Sequence, residues 1–148
     1  MHAPMRLFGL ILLAVLAISE AACAETVAQT ASRWGLLGTW RLDCSKPASR
    51  SDGALQYVVR GGKLFHDREF GDSRDSNAVI LATAKADGSL EIVVNFAALS
   101  QTRQFSFMRG SDGRIRTFSN RNVDTDEYSI KDAKFSNGTP TPWQTHCR

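Results

Sequence analysis

Cys44 and Cys147 constrain the fold of this chain more than any other feature of its sequence. They lie near the beginning and the end of the polypeptide that follows an apolar leader, and they are two of the three cysteines in the chain. In an oxidising compartment, an even pair of cysteines is typical of a disulfide. Closing a loop of about 100 residues stabilises a fold by roughly 4–5 kcal/mol in the chain-entropy account. We therefore expect a Cys44–Cys147 disulfide; two free thiols are the alternative.

Residues 1–24 have the pattern of a secretory signal peptide. Arg6 supplies the positive charge, residues 7–18 are an unbroken apolar run, and Ala22-Cys23-Ala24 fits a small-x-small cleavage site. The apolar run has about 12 residues, which is too short to span a bilayer. The sequence thus predicts a bacterial periplasmic or secreted protein that begins at Glu25 after cleavage.

Cys23 allows a second interpretation of the leader, in which it is the acylated cysteine of a bacterial lipoprotein. Glu20, three positions upstream, does not fit that signal, which resembles Leu-Ala-Gly-Cys. Only this alternative predicts attachment to a membrane.

The remaining residues are enough for one domain with a substantial core. The net charge of the chain is +3, and charges of both signs are scattered along it. A nucleic-acid-binding protein would carry a concentrated basic patch, so no nucleic-acid partner is expected.

Turn signals divide the chain at short intervals. They are Gly61-Gly62, Asp87-Gly88, Ser111-Asp112-Gly113 and Asn137-Gly138, all of residue types that tolerate positive φ. The segments between them alternate apolar and polar residues, which is typical of antiparallel strands with one buried face. The expected strands are 38–44, 54–60, 63–70, 78–86, 89–97, 102–109, 114–121 and 126–135, with a final extended piece at 141–147.

This pattern predicts an all-β fold, an up-and-down antiparallel meander of about eight strands closed into a small barrel. Closure would remove the exposed sheet edges, and a disulfide between the chain ends suits it. A β-sandwich is the alternative. Residues 25–37 form an N-terminal segment that includes a possible short helix, and residues 38–148 form the single β-barrel domain.

Gly38-Thr39-Trp40 at the start of the first expected strand resembles the Gly-x-Trp motif of the lipocalin and wider calycin superfamily. The resemblance implies that Trp40 closes the narrow end of a barrel and that an arginine late in the chain packs over it. Arg121 and Arg148 are the candidates. Together with the residues around Cys44 and Cys147, the motif is also similar to small exported proteins of alphaproteobacteria, which implies a location and no activity.

Neither histidine of the mature chain lies in a recognisable catalytic or metal-binding pattern. His66-Asp67-Arg68-Glu69 is the densest polar cluster, and on a strand Asp67 and Glu69 would share one face. Two carboxylates could serve acid–base chemistry, but solvated cross-strand charge pairs are the simpler interpretation. His146, beside Cys147, would point to the opposite face. We expect no catalytic residue, no metal site, no cofactor and no enzymatic activity.

Five arginines in the second half of the expected sheet form the strongest concentration of positive charge. They are Arg103, Arg109, Arg114, Arg116 and Arg121. They could form an anion-binding or envelope-binding surface, or an ordinary solvated strand face.

Two functional hypotheses follow from an exported β-barrel. In the first, the barrel binds a small apolar or amphipathic ligand, with Tyr57, Phe96, Phe105 and Phe107 lining the binding site. In the second, the barrel has a filled interior and binds or inhibits an envelope protein through its rim loops, of which 72–77 is the candidate. An internal cavity of at least roughly 300 Å³ would favour the first hypothesis.

Overall fold

A computed structural model describes residues 23–148, so residues 1–22 of the expected signal peptide lie outside the described part. Within the described residues, one helix, α1 (Val27–Trp34), precedes the sheet. Thr26 and Gln29 form a reciprocal capping box at its start, and Gly35 ends it with a φ of 89°. None of the helices in residues 23–148 has the length and apolarity needed to cross a bilayer.

The rest of the fold is one antiparallel sheet of ten strands. They are β1 (Gly38–Arg41), β2 (Ala54–Arg60), β3 (Lys63–Glu69), β4 (Arg74–Ala84), β5 (Leu90–Phe96), β6 (Gln101–Arg109), β7 (Ile115–Asn122), β8 (Tyr128–Lys131), β9 (Lys134–Phe135) and β10 (Thr145–Cys147), with a short 3₁₀ helix (Ala97–Leu99) between β5 and β6. Consecutive strands from β1 to β9 pair with each other, and β10 pairs with the free edge of β1. The predicted all-β antiparallel fold is confirmed.

The sheet is not closed, so the prediction of a barrel is wrong, as is the two-sheet sandwich. The outer edge of β7 is divided between two segments. Near its end, Asn120 and Arg121 pair with β8. Near its start, Ile115 exchanges two hydrogen bonds with Gln144, at N···O distances of 3.1 and 2.7 Å. The sheet therefore curls until the chain before β10 reaches β7, but no continuous ladder joins β9 to β10.

Two strand boundaries also differ from the prediction. The expected strand 126–135 is interrupted, because Asp132 and Ala133 have φ of 51° and 57° and separate β8 from β9. The expected loop 72–77 is wrong beyond residue 73, since β4 begins at Arg74.

The disulfide between Cys44 and Cys147 is confirmed. Their α-carbons are 5.5 Å apart, within the range of disulfide geometry. Because Cys147 pairs with Thr39 of β1, the bond attaches the last strand to the loop that follows the first.

The main core lies on the concave face of the sheet, where α1 packs against β4 and β3. Leu90, Ile92 and Val94 of β5 are buried at alternate positions, and Ala31 and Leu36 cover them from the helical end. Trp40 is also buried there, and its indole N–H donates to the carbonyl of Leu36 at 2.7 Å.

The ring that packs against Trp40 is that of His146, with centroids 4.8 Å apart. Neither arginine suggested by the lipocalin resemblance lies over the indole in the described residues. Arg121 instead contacts Gln104 and Asp126.

Candidate ligand cavity

A cavity of about 610 Å³ lies within the curl of the sheet, and we call it the inner cavity. Side chains of β2, β3 and β5–β9 contribute to its walls, and none of its lining residues belongs to α1. Its apolar lining includes Leu55, Phe96, Phe105, Ile130 and Phe135. Its volume is within the range of pockets that hold small ligands.

A cluster of aromatic rings forms the deep end of the inner cavity. Phe96 and Phe105 lie with centroids 6.2 Å apart, and Phe105 stacks on Phe107 at 6.1 Å. Tyr57 packs edge-on against Phe107 at 6.0 Å and stacks with His66 at 4.7 Å. These rings fill the base of the curl and leave the space above them open.

His66 is a polar residue within this apolar cluster. Its side chain lines the inner cavity, although the residue is only 3% exposed, and its Nδ1 atom has no hydrogen-bond partner among residues 23–148. Burial lowers the pKa of His66 to about 3, and the nearby charge of Arg68 acts in the same direction. The imidazole is therefore neutral at physiological pH.

Arg68 lines one wall of the inner cavity and is paired with Asp75, which lies outside the lining. They are directly opposite each other on β3 and β4, and the Nε of Arg68 donates to Oδ1 of Asp75 at 2.9 Å. Asn77 donates to the same carboxylate oxygen at 2.8 Å. Hydrogen bonds from Arg68 lower the pKa of Asp75, so the carboxylate stays ionised and balances the guanidinium charge.

Arg103 lines the inner cavity from β6 and has only neutral partners. Its Nε donates to Oδ1 of Asn120 at 2.6 Å, Nη1 donates to Oε1 of Gln101 at 3.3 Å, and Nη2 donates to Oγ of Ser129 at 3.0 Å. No Asp or Glu among residues 23–148 forms an ion pair with it. The guanidinium is thus held in place while its charge remains uncompensated.

The lining as a whole is cationic. It contains three arginines and no Asp or Glu. Arg50 is paired with Asp72 and Arg68 with Asp75, so Arg103 carries the excess positive charge.

Comparison of the chain with protein-family models, curated proteins and solved structures gives no match. The geometry of the cavity is therefore the basis for any functional argument.

The four residues predicted to bind a ligand occupy two levels of this site. Phe96 and Phe105 line the inner cavity, whereas Tyr57 and Phe107 are buried in the aromatic cluster beneath it. Their role in binding stays a prediction.

The polar cluster around His66 divides between the two faces of β3. On the outer face, Asp67 pairs with Arg60 and Glu69 pairs with Arg74, which are the cross-strand charge pairs expected from the sequence. Sequence reasoning missed that the inner-face pair, His66 and Arg68, lines a cavity. The only sequence feature that pointed to this position is that His66 and Arg68 share one face of a strand.

The five arginines do not form one surface. Arg103 points into the inner cavity, and Arg109 packs over Trp34, with 4.3 Å between its Cζ atom and the ring centroid. Arg114 pairs with Asp112, and Arg116 donates to the carbonyl of Ala133. Sequence reasoning grouped these residues by composition and could not single out Arg103.

A larger depression, of about 840 Å³, lies on the outside of the sheet. It is lined mainly by the turn residues 85–89 and 109–111, together with outward side chains such as Met108. We favour the smaller inner cavity because side chains from seven strands converge on it. No cluster of three or more metal-ligating side chains occurs in residues 23–148.

Proposed function

We propose that this chain is a non-enzymatic binding protein that holds a small amphipathic molecule in the inner cavity. The observation that carries the proposal is the 610 Å³ space above the aromatic cluster, with apolar and polar side chains on the same walls. Its volume lies above the lower limit of roughly 300 Å³ that is typical of small-ligand pockets. The leader pattern and the Cys44–Cys147 disulfide support an exported location, the periplasm or the medium.

A neutral fluorescent probe, N-phenyl-1-naphthylamine, tests whether the inner cavity takes an apolar group. We expect saturable binding of one probe per chain. Leu55→Trp should narrow the cavity and weaken binding, because Leu55 is a lining residue. Gln56→Trp is the matched control, since the neighbouring side chain on β2 is exposed on the other face.

A second test is native mass spectrometry of the protein, purified from the cells that make it. A bound small molecule supports the proposal. Failure of the probe to bind, or equal binding by both Trp variants with unchanged melting temperatures, would contradict it. A stoichiometric protein companion without any small molecule would instead favour the inhibitor hypothesis.

A further inference from the structure

We infer that the ligand of the inner cavity carries a carboxylate, which docks on Arg103 while its apolar part lies over Phe105 and Phe96. This inference rests on the proposed binding function and specifies its ligand class. Its basis is the charge imbalance of the lining and the hydrogen bonds that orient Arg103.

The protein leaves part of the Arg103 guanidinium available. A guanidinium has five N–H groups, and Asn120, Gln101 and Ser129 accept from three of them. One N–H on each terminal nitrogen remains for a ligand. Two such donors on one planar group match the two oxygens of a carboxylate.

The surroundings of Arg103 favour an anion over a neutral polar group. A half-buried charge without a counterion is unfavourable, and a carboxylate would supply the missing counterion. The other cations of the lining already have carboxylate partners, and the neutral His66 adds no charge. The excess charge is therefore concentrated at one residue.

Phe105 defines where the apolar part of the ligand would lie. It is two residues from Arg103 on β6, so both side chains point to the concave face. Phe96 is next to Phe105, with 6.2 Å between ring centroids. A molecule with an acidic head and a hydrocarbon body would contact Arg103 and these two rings together.

The test compares dodecanoate with 1-dodecanol, which has a chain of the same length and no charge, by calorimetry at pH 7 below micelle-forming concentrations. We expect the wild-type protein to bind dodecanoate at least about tenfold more tightly, on the scale of a hydrogen bond to a charged group. Arg103→Gln should remove this preference. Lys63→Gln is the control, because it removes the same charge from an exposed site outside the cavity lining.

Asn120→Asp provides an isosteric second variant in case the loss of Arg103 weakens the fold. The Oδ1 atom of residue 120 is already 2.6 Å from Nε of Arg103, so the new carboxylate would neutralise the guanidinium in place. We expect it to weaken dodecanoate binding at least about tenfold, by the same reasoning.

The outcomes separate this inference from the proposed function. Equal wild-type affinity for the acid and the alcohol, or a preference for the acid that survives Asn120→Asp, would overturn the inference and leave the cavity as a binding site for neutral molecules. Binding of neither compound, together with failure of the naphthylamine probe, would overturn both.

Discussion

Gly38 and His146 are in such close contact that the imidazole fills the space beside the Gly38 α-carbon. A Cβ atom at residue 38 would stand 2.1 Å from Nε2 of His146. That ring is held in place, because Nε2 lies 2.9 Å from the carbonyl oxygen of Leu37 and the ring packs against Trp40. The glycine of the Gly-x-Trp motif is therefore required by the last strand of the sheet.

Gly38→Ala should destabilise the protein more than an alanine at another glycine with positive φ. Gly38 has a φ of 118°, and a side chain there would add a steric clash to backbone strain of about 1–3 kcal/mol. Gly88→Ala is the control, since Gly88 has a φ of 88° and a Cβ there would meet no atom of a non-adjacent residue within 4 Å. Urea denaturation measures the difference in the free energy of unfolding.

A double variant identifies the clash as the cause. His146→Ala in the Gly38→Ala background should recover part of the lost stability, because it removes the atoms that a Cβ would meet. Equal effects of Gly38→Ala and Gly88→Ala would mean that the His146 ring is free to move aside.

Loss of either half of the Cys44–Cys147 disulfide should lower the melting temperature to the same extent. The two cysteines are separated by 103 residues in sequence, and removing such a bond costs about 2–5 kcal/mol. Differential scanning calorimetry would compare Cys44→Ser, Cys147→Ser and the double variant with the wild type. A double variant much less stable than either single one would show that the two residues act independently.

The periodicity of the sequence predicted the sheet but not its interruption at Ala133. Strands such as β5 were recognisable because Leu90, Ile92, Val94 and Phe96 alternate with more exposed residues. Asp132 is of a type that tolerates positive φ, but alanine disfavours it, so Ala133 itself gives no local signal of the break between β8 and β9. The conformation of Ala133 is held from outside its own segment: its N–H donates to the carbonyl of Phe118, and its carbonyl accepts from the N–H of Thr141.

The inner cavity could be predicted only in part for a similar reason. Alternation along β6 placed Arg103, Phe105 and Phe107 on one face. It could not indicate that Phe107 is packed beneath the cavity while Phe105 faces it. That distinction depends on the curl of the sheet and on the rings of Tyr57 and His66, which fill its base. Both result from contacts between residues far apart in the sequence.

Removal of Asp52, the partner of Arg41, should destabilise the protein much more than removal of Asp72, the partner of Arg50 in the same region. The side chains of Arg41 and Asp52 are only 9% and 15% exposed, and Asp52 also accepts from the backbone N–H groups of Leu42 and Asp43. Asp52→Ala would leave a buried guanidinium without its counterion and should cost about 3–5 kcal/mol.

Asp72→Ala is the matched control, because Arg50 and Asp72 are 85% and 61% exposed and such pairs contribute about 0–1 kcal/mol. Both variants would be compared by chemical denaturation at neutral pH. Similar losses would indicate that the loop between β1 and β2 does not depend on the buried pair.

The buried imidazole of His66 should make the protein less stable as the pH falls below 6.5. In the unfolded chain the group binds a proton near its ordinary pKa of 6.5, whereas burial holds the pKa in the folded state at about 3. Between these values the unfolded state binds more protons, so the free energy of unfolding falls by up to about 1.4 kcal/mol for each pH unit. Well above pH 6.5 His66 is neutral in both states and adds no pH dependence.

His66→Gln removes this titration and isolates its contribution. From pH 6.5 to 4.5 the stability of the wild type relative to this variant should decrease by about 2 kcal/mol, measured by denaturation at each pH. Asp67 and Asp75 contribute little to the difference in this window, because their pKa values are lowered below the ordinary 3.8 and both stay ionised. Parallel pH profiles for the two proteins would contradict the prediction. They would mean that His66 can be protonated in the folded protein, which requires water to enter the aromatic cluster.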